Sequence, residues 1–332
     1  CWSVQIQRMF GLSGIPQEKN LPRDKGKSLC ACFIPTSRLI AKPEKAVSTV
    51  DQFESVFKAA DKASYVHEKL SLGKALLVTD LEEAQSSLFL QTVRKFLGET
   101  LPEDETTWEV LHKDDHVSVR DLLEKVEQHQ PDLLVTYRNL HSEAWRWPYS
   151  LGEHLDVLTQ VTTTPVLVLP HPDRDDAADL LTQPPREVMA VSGHLCGEGI
   201  LVRHAAAFTP RGGKLILSHV EDESTFERYL EAIGKIPEID TEIAHESILA
   251  RLLKDARDFA DAARAGIADA DLGIEVIGLA KVGRRLEDYR TQIEEDEVDL
   301  LVMHAKEEDQ MAMHGMTHPL AVELRSVPLL LL

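Results

Sequence analysis

Short apolar runs alternate with amphipathic helical patterns along most of this chain. One such helix shows apolar residues at the i, i+3, i+4 and i+7 positions of a single face, at Val119, Leu122, Leu123 and Val126. Ser118 and Asp121 form a capping box ahead of it. The apolar runs themselves show no alternation, which is typical of strands buried on both faces of a parallel sheet. The pattern therefore predicts an α/β fold.

The apolar runs occur twice in the same order, which indicates an internal duplication. In the first copy they are Lys45–Asp51, Gly73–Val78, Pro131–Val135 and Thr164–Leu169, which match Glu187–Ser192, Gly213–Ser218, Val298–Val302 and Val327–Leu332 in the second. Trp108–Leu111 and Ile274–Leu279 each add a strand before the fourth one. We therefore predict two tandem doubly wound five-stranded parallel-sheet domains.

The domain boundaries follow from these repeats and from the composition between them. The two domains are predicted at 44–170 and 185–332. An irregular arm at 1–43 precedes them, and a linker rich in Pro and Asp joins them at 171–184.

Charge and cysteine usage narrow the range of partners. The chain has 36 basic and 56 acidic residues and a net charge of −20, which repels nucleic acid and anionic lipid. No apolar run approaches the length of a membrane span. The 4 cysteines are few and unevenly placed, which fits a reducing compartment. We predict a cytoplasmic protein that binds neither nucleic acid nor membrane.

The carboxyl end of each copy resembles the universal stress protein family. In the first copy the resemblance rests on Asp132–Val135, the helix at 152–158 and Thr164–Pro170, and the second copy ends in the same way from Gly315 through Pro328. The resemblance implies the adenine nucleotide alpha hydrolase-like fold, with helices flanking each sheet. It also implies that the copies pair as an intramolecular pseudo-dimer, through Pro165–Leu169 of one and Pro328–Leu332 of the other.

Many members of that family bind ATP through a glycine-rich loop after the fourth strand. Glycine is needed there because backbone N–H groups must close on phosphate oxygens without an intervening Cβ. The first copy has Tyr137 and Leu140 at the first two glycine positions, and the second has His304 and Glu307. We therefore predict no cofactor, and no ATP binding in the family's manner.

Candidate ligand-binding residues follow the ends of the predicted strands, because the carboxyl ends of parallel strands converge on one crevice. The resemblance implies a nucleoside-contacting Asp after the first strand, where Asp51 stands in the first copy and Ser192 in the second. An alternative role for Asp51 is to cap the next helix. The complete set of candidates is Asp51, Thr79, Asp80, Tyr137, Ser150, Ser192 and Gly315.

Three histidines of the second copy also follow strand ends: His194, His219 and His304. Imidazole is a common ligand of zinc and similar ions, so their convergence predicts a metal site. The alternative is that they fill a vacant nucleotide crevice by hydrogen bonding.

These features together favour a non-enzymatic stress-response or regulatory protein of the universal stress type. It would act by contact with an unidentified protein or by sensing a small ligand. The prediction also allows two chains to associate as a homodimer. One alternative is an ATP-binding protein, or weak ATPase, that works through the first domain. The other is a metal-binding protein that works through the histidines of the second.

Overall fold

The computed structural model describes residues 64–102, 104–147, 150–235, 241–306 and 315–332. They lie in one compact unit, Asp61–Leu332. The predicted arm, Asp51 and the first predicted strand fall outside the described residues. Within them, helices alternate with strands, which confirms the α/β class.

The first half, defined here as residues 64–170, contains four described strands. Its elements are β1 (Lys74–Val78), α1 (Glu83–Leu97), β2 (Thr107–Leu111), α2 (Val119–His129), β3 (Leu133–Tyr137), α3 (Glu153–Val161) and β4 (Val166–Leu169). A short helix, α4 (Ala177–Leu180), follows in the connection to the second half.

The second half, residues 185–332, contains five described strands. Its elements are β5 (Glu187–Val191), α5 (Gly199–Ala207), β6 (Lys214–Asp222), α6 (Glu223–Ile233), α7 (Thr241–Asp269), β7 (Glu275–Gly283), α8 (Arg285–Glu295), β8 (Leu300–Met303), α9 (Thr317–Glu323) and β9 (Leu329–Leu331). None of the helices in the described ranges is long and apolar enough to cross a membrane.

The described strands of both halves form one sheet, in the order β2-β1-β3-β4-β9-β8-β5-β6-β7. Neighbouring strands run parallel within each half. At the centre β4 and β9 are antiparallel, with Val166 opposite Leu331 and Val168 opposite Leu329. The predicted pairing of the last strands is therefore confirmed. It leaves β9 hydrogen-bonded on both sides and fully buried.

The position of β1 in the sheet corrects the predicted matching of the repeats. β1 lies between β2 and β3, as β5 lies between β6 and β8. The same contact marks both strands, since the Asp132 carboxylate accepts the N–H of Lys74 and the Asp299 carboxylate accepts that of Glu187. Lys74–Val78 is thus the counterpart of the first strand of the second half. The prediction that it matches Gly213–Ser218 is wrong.

A second correction follows for the neighbouring strand. β2 pairs with β1 and so holds the place of β6, whereas Trp108–Leu111 was predicted to match β7. The described part of the first half has no counterpart of β7, the edge strand that follows the 29-residue helix α7. The repeats were misaligned because interior strands of a parallel sheet share one apolar pattern, whatever their order.

The helix ends agree better with the sequence. α2 begins after Ser118, whose hydroxyl accepts the N–H of Asp121, while the Asp121 carboxylate accepts the N–H of Ser118. The predicted capping box is therefore confirmed. It fixes the chain direction just after the loop that carries His116.

Candidate functional site

A crevice of about 410 Å³ opens at the carboxyl ends of β5 and β8 in the second half. The order of strands reverses between these two, and this is where doubly wound sheets bind ligands. Ser192 lies at the end of β5, His304 at the end of β8, and Gly197 and Glu198 just before α5. We call this the second-half crevice.

Glu198 holds the polar groups of this crevice together. Its carboxylate accepts a hydrogen bond from the Ser192 hydroxyl at 3.3 Å, and its other oxygen lies 2.7 Å from His304 Nε2. The main-chain carbonyl of His304 accepts the Thr317 hydroxyl at 2.8 Å. A carboxylate therefore occupies the N-terminus of α5, a place where an anion is stabilised by the helix dipole.

The three histidines predicted to share a metal do not face one space. His194 and His304 line the second-half crevice. His219 is 4% exposed and packs in the core, with Nε2 3.4 Å from Glu221 and Nδ1 3.3 Å from the Ser192 carbonyl. Gly315, another candidate, is exposed and does not line the crevice, although its neighbours Met316 and Thr317 do.

The equivalent position in the first half is filled by its own side chains. Asp80, which follows β1, takes the place that the sequence assigned to Asp51. Its carboxylate accepts the Tyr137 hydroxyl and, at 2.6 Å, the N–H of His141, while its own N–H donates to the Tyr137 oxygen at 3.1 Å. Tyr137 has no exposed surface, and burial together with the Asp80 charge raises the pKa of its phenol.

The other first-half candidates are also bonded internally. The Thr79 hydroxyl lies 2.8 Å from that of Ser86 and is fully buried. The Ser150 carbonyl accepts the Asn139 side-chain amide at 3.3 Å. Trp145, on the loop after β3, stacks on His171 with the ring centroids 4.6 Å apart. These polar groups between β1 and β3 therefore have partners from within the chain itself.

A close backbone contact holds the loop after β3. Asn139 donates its N–H to the Leu151 carbonyl at 2.7 Å. Gly152 has φ +95°, and a Cβ there would lie 2.6 Å from the Asn139 Cα. Only glycine fits this position, because it tolerates both the positive φ and the close approach. The contact places His141, on the loop, beside His154 at the start of α3.

Three first-half histidines gather at this loop: His116, His141 and His154. One ring nitrogen from each lies within 4.8 Å of the others, and within the described ranges this is the one group of three or more potential metal ligands so gathered. Burial lowers the pKa of His116 and of His154. We call this group the histidine triad.

The sequence did not predict the triad. It predicted a metal site in the second copy, where the histidines follow strand ends directly. The signal in the first copy is weaker, since His116 and His141 follow β2 and β3 by several residues and His154 lies inside a helix.

No protein-family model matches the chain, and no curated protein is similar to it in sequence. Solved structures are similar to it in fold. A universal stress protein from Archaeoglobus fulgidus DSM 4304 is 12% identical over 79% of this chain and 98% of its own, with a TM-score of 0.45. A functionally unknown protein from Pseudomonas aeruginosa PAO1 is 13% identical over 88% of this chain and 89% of its own, with a TM-score of 0.44.

The chain has a universal-stress-like fold. Its own strand order carries this conclusion, because the second half has the five-stranded order and the last-strand pairing that the sequence resemblance implied. Within that fold the carboxyl ends of the strands differ between the halves. In the second half they border an open crevice lined by Glu198, and in the first half Tyr137 and Asp80 bond to each other.

Proposed function

We propose that this chain is a non-enzymatic regulatory protein of the universal stress type, which senses a small ligand in its second-half crevice. The observation that carries the proposal is the contrast between the halves: a crevice opens at the ends of β5 and β8, whereas Tyr137 and Asp80 bond to each other at the ends of β1 and β3. A volume of about 410 Å³ suits a small organic molecule. The Ser192 hydroxyl donates to Glu198 and the other Glu198 oxygen lies beside His304, so these groups satisfy one another, which supports binding rather than turnover.

The chemistry of the crevice favours a ligand that brings hydrogen-bond donors. Glu198 offers carboxylate oxygens, and its negative charge opposes a phosphate at the start of α5. Lys306 lines the crevice as well, but its ammonium group donates to the Gln160 carbonyl at 2.6 Å. The proposed ligand is therefore a neutral or cationic polar molecule, and not a nucleoside triphosphate.

The alternative of an ATP-binding first half is less well supported. Its Asp80 occupies the position of the family's nucleoside-contacting Asp, but both carboxylate oxygens already accept hydrogen bonds from within the chain. ATP would have to displace a buried Tyr137. The described residues of the loop after β3, 138–147 and 150–152, contain Gly152 as their one glycine and so do not form a glycine-rich phosphate loop.

Native mass spectrometry of the purified chain tests the proposal, followed by calorimetry with two probes, adenosine and ATP–Mg²⁺. We expect a co-purifying molecule without phosphate, and no saturable binding or hydrolysis of ATP–Mg²⁺. Glu198→Gln should release the co-purified molecule. Glu153→Gln removes a carboxylate outside the crevice, and this variant should retain the molecule. Stoichiometric ATP binding that survives Glu198→Gln and is lost in Asp80→Asn would instead establish the first half as a nucleotide site.

A further inference from the structure

The histidine triad lies outside the proposed ligand crevice and has the composition of a metal centre. His116 comes from the loop after β2, His141 from the loop after β3 and His154 from the first turn of α3. Three separate chain segments therefore bring imidazoles to one place. From this arrangement we propose that the triad binds a divalent transition-metal ion, with Zn²⁺ as its preferred ion.

The distances within the triad suit zinc. His141 Nε2 lies 3.3 Å from His116 Nδ1. Two nitrogens bound to one tetrahedral zinc at about 2.0–2.1 Å are themselves about 3.3 Å apart. The third nitrogen lies within 4.8 Å of both, so small rotations of the rings complete the set.

Two of the rings already present a lone pair to the centre. His116 donates from Nε2 to the Thr79 carbonyl at 2.9 Å, which leaves Nδ1 unprotonated and facing His141. His154 bonds the Val117 backbone, and its Nε2 is buried with no hydrogen-bond partner. A hydrogen bond to the outer nitrogen is the usual way in which proteins orient a metal-binding imidazole.

The unpartnered Nε2 of His154 is the observation that points most directly to a ligand. The residue is 8% exposed, and a buried nitrogen without a partner destabilises the fold unless something satisfies it. A metal ion in the triad would do so. To bind the ion, His141 moves its proton from Nε2 to Nδ1 and gives up the contact of Nε2 with the His116 carbonyl at 3.0 Å. Its exposed ring lets water replace that partner.

Charge and access also favour a cation. Asp80, Asp115 and Glu153 all act on the triad with a negative potential. The exposed ring of His141 gives the ion a path from solvent. Three protein ligands leave a fourth tetrahedral position for water or for a bound molecule, as in zinc sites that are not purely structural.

The test uses the full chain without an affinity tag, stripped of metal by a chelator and titrated with Zn²⁺ against a chromophoric competitor. We expect one equivalent to bind, and Co²⁺ to give the intense visible absorption of a four-coordinate site. His141→Gln is the decisive variant because its ring is exposed and its loss leaves the core intact. It should weaken Zn²⁺ binding by at least about tenfold. His154→Gln should do the same and should also remove the rise in melting temperature that Zn²⁺ causes.

Two matched variants complete the design. His318→Gln removes another exposed histidine and should leave the affinity for Zn²⁺ unchanged. His304→Gln, in the second-half crevice, should also leave it unchanged. If wild-type protein binds no Zn²⁺, or if His304→Gln abolishes binding while His141→Gln retains it, the assignment to the triad is overturned. Neither result bears on the co-purified ligand of the second-half crevice, so the two proposals fail independently.

Discussion

At the scale of single residues, the geometry of the histidine triad depends on one glycine, Gly152. The loop after β3 and the start of α3 approach so closely at Gly152 that a side chain would meet the backbone of Asn139. This contact sets the distance between His141 and His154. A change of one methyl group therefore tests how the loop is held.

We expect Gly152→Ala to lower the free energy of unfolding by at least about 3 kcal/mol, because it adds a backbone clash to the strain of a positive φ. Gly212→Ala is the control. Its φ is +82°, but nothing lies within 4 Å of the added Cβ. It should cost only the strain, about 1–2 kcal/mol. Urea unfolding of both variants measures the difference, and equal losses would show that the close contact is unimportant.

At the scale of elements, helix ends were the features best predicted from the sequence. The capping box at the start of α2 is local, since a hydroxyl, a carboxylate and two N–H groups satisfy one another within four residues. Local hydrogen bonds depend little on the rest of the fold, which is why the sequence reveals them.

Ser118→Ala should destabilise the protein by about 1 kcal/mol, because the N–H of Asp121 loses its acceptor. Ser87→Ala, in the middle of α1, is the matched control. The Ser87 hydroxyl bonds only the Glu83 carbonyl within its own helix and is exposed, so its loss should change stability by less than about 0.5 kcal/mol. Chemical denaturation would contradict the assignment if the two variants behaved alike.

α5 carries a pH-sensitive group. Burial lowers the pKa of His204 below its ordinary value of 6.5, although its hydrogen bond to the Ile200 carbonyl opposes the shift. Between the lowered pKa and 6.5 the unfolded chain binds a proton at this residue and the folded chain does not. Stability therefore falls as the pH decreases through that window.

His204→Met removes this proton uptake. We expect the variant to lose less stability than the wild type between pH 7 and pH 5, as measured by the urea midpoint at each pH. If the urea midpoint of the variant changes with pH as steeply as that of the wild type, His204 has the same protonation in the folded and the unfolded chain over this range. The comparison is made between slopes, so a uniform loss of stability from the lost hydrogen bond does not obscure it.

At the scale of the whole molecule, the central strand pair joins the halves into one sheet. β9 is hydrogen-bonded to β4 on one side and to β8 on the other, and Leu330 lies opposite Leu167 with no exposed surface. A charge in this strand has no path to water. The pairing also removes two sheet edges that would otherwise be open to aggregation.

Leu330→Asp should lower the free energy of unfolding by at least about 4 kcal/mol, through lost apolar burial and an unpaired buried charge. Leu88→Asp makes the same chemical change at a residue that is 65% exposed, and should cost less than about 1 kcal/mol. Thermal unfolding followed by circular dichroism distinguishes them. A mild effect at Leu330 would indicate that the halves hold together without this strand pair.

The sequence by itself determined the features that arise from local patterns. Continuous apolar runs predicted the buried strands, spacing predicted the helices, and the recurrence of runs predicted two halves. The pairing of the last strands was implied by the resemblance to the family. The sequence did not determine which strand of one half corresponds to which strand of the other. Parallel core strands such as β1 and β6 have the same apolar pattern, and only their neighbours in the sheet distinguish them.

The candidate sites were decided by tertiary structure for a related reason. The sequence placed Ser192, His304, Tyr137 and Asp80 at the carboxyl ends of strands, and the structure has them at those ends. The sequence could not show that Tyr137 and Asp80 bond to each other, or that His219 turns into the core. Nor could it bring together His116, His141 and His154, because their proximity depends on how three loops pack at one edge of the folded sheet.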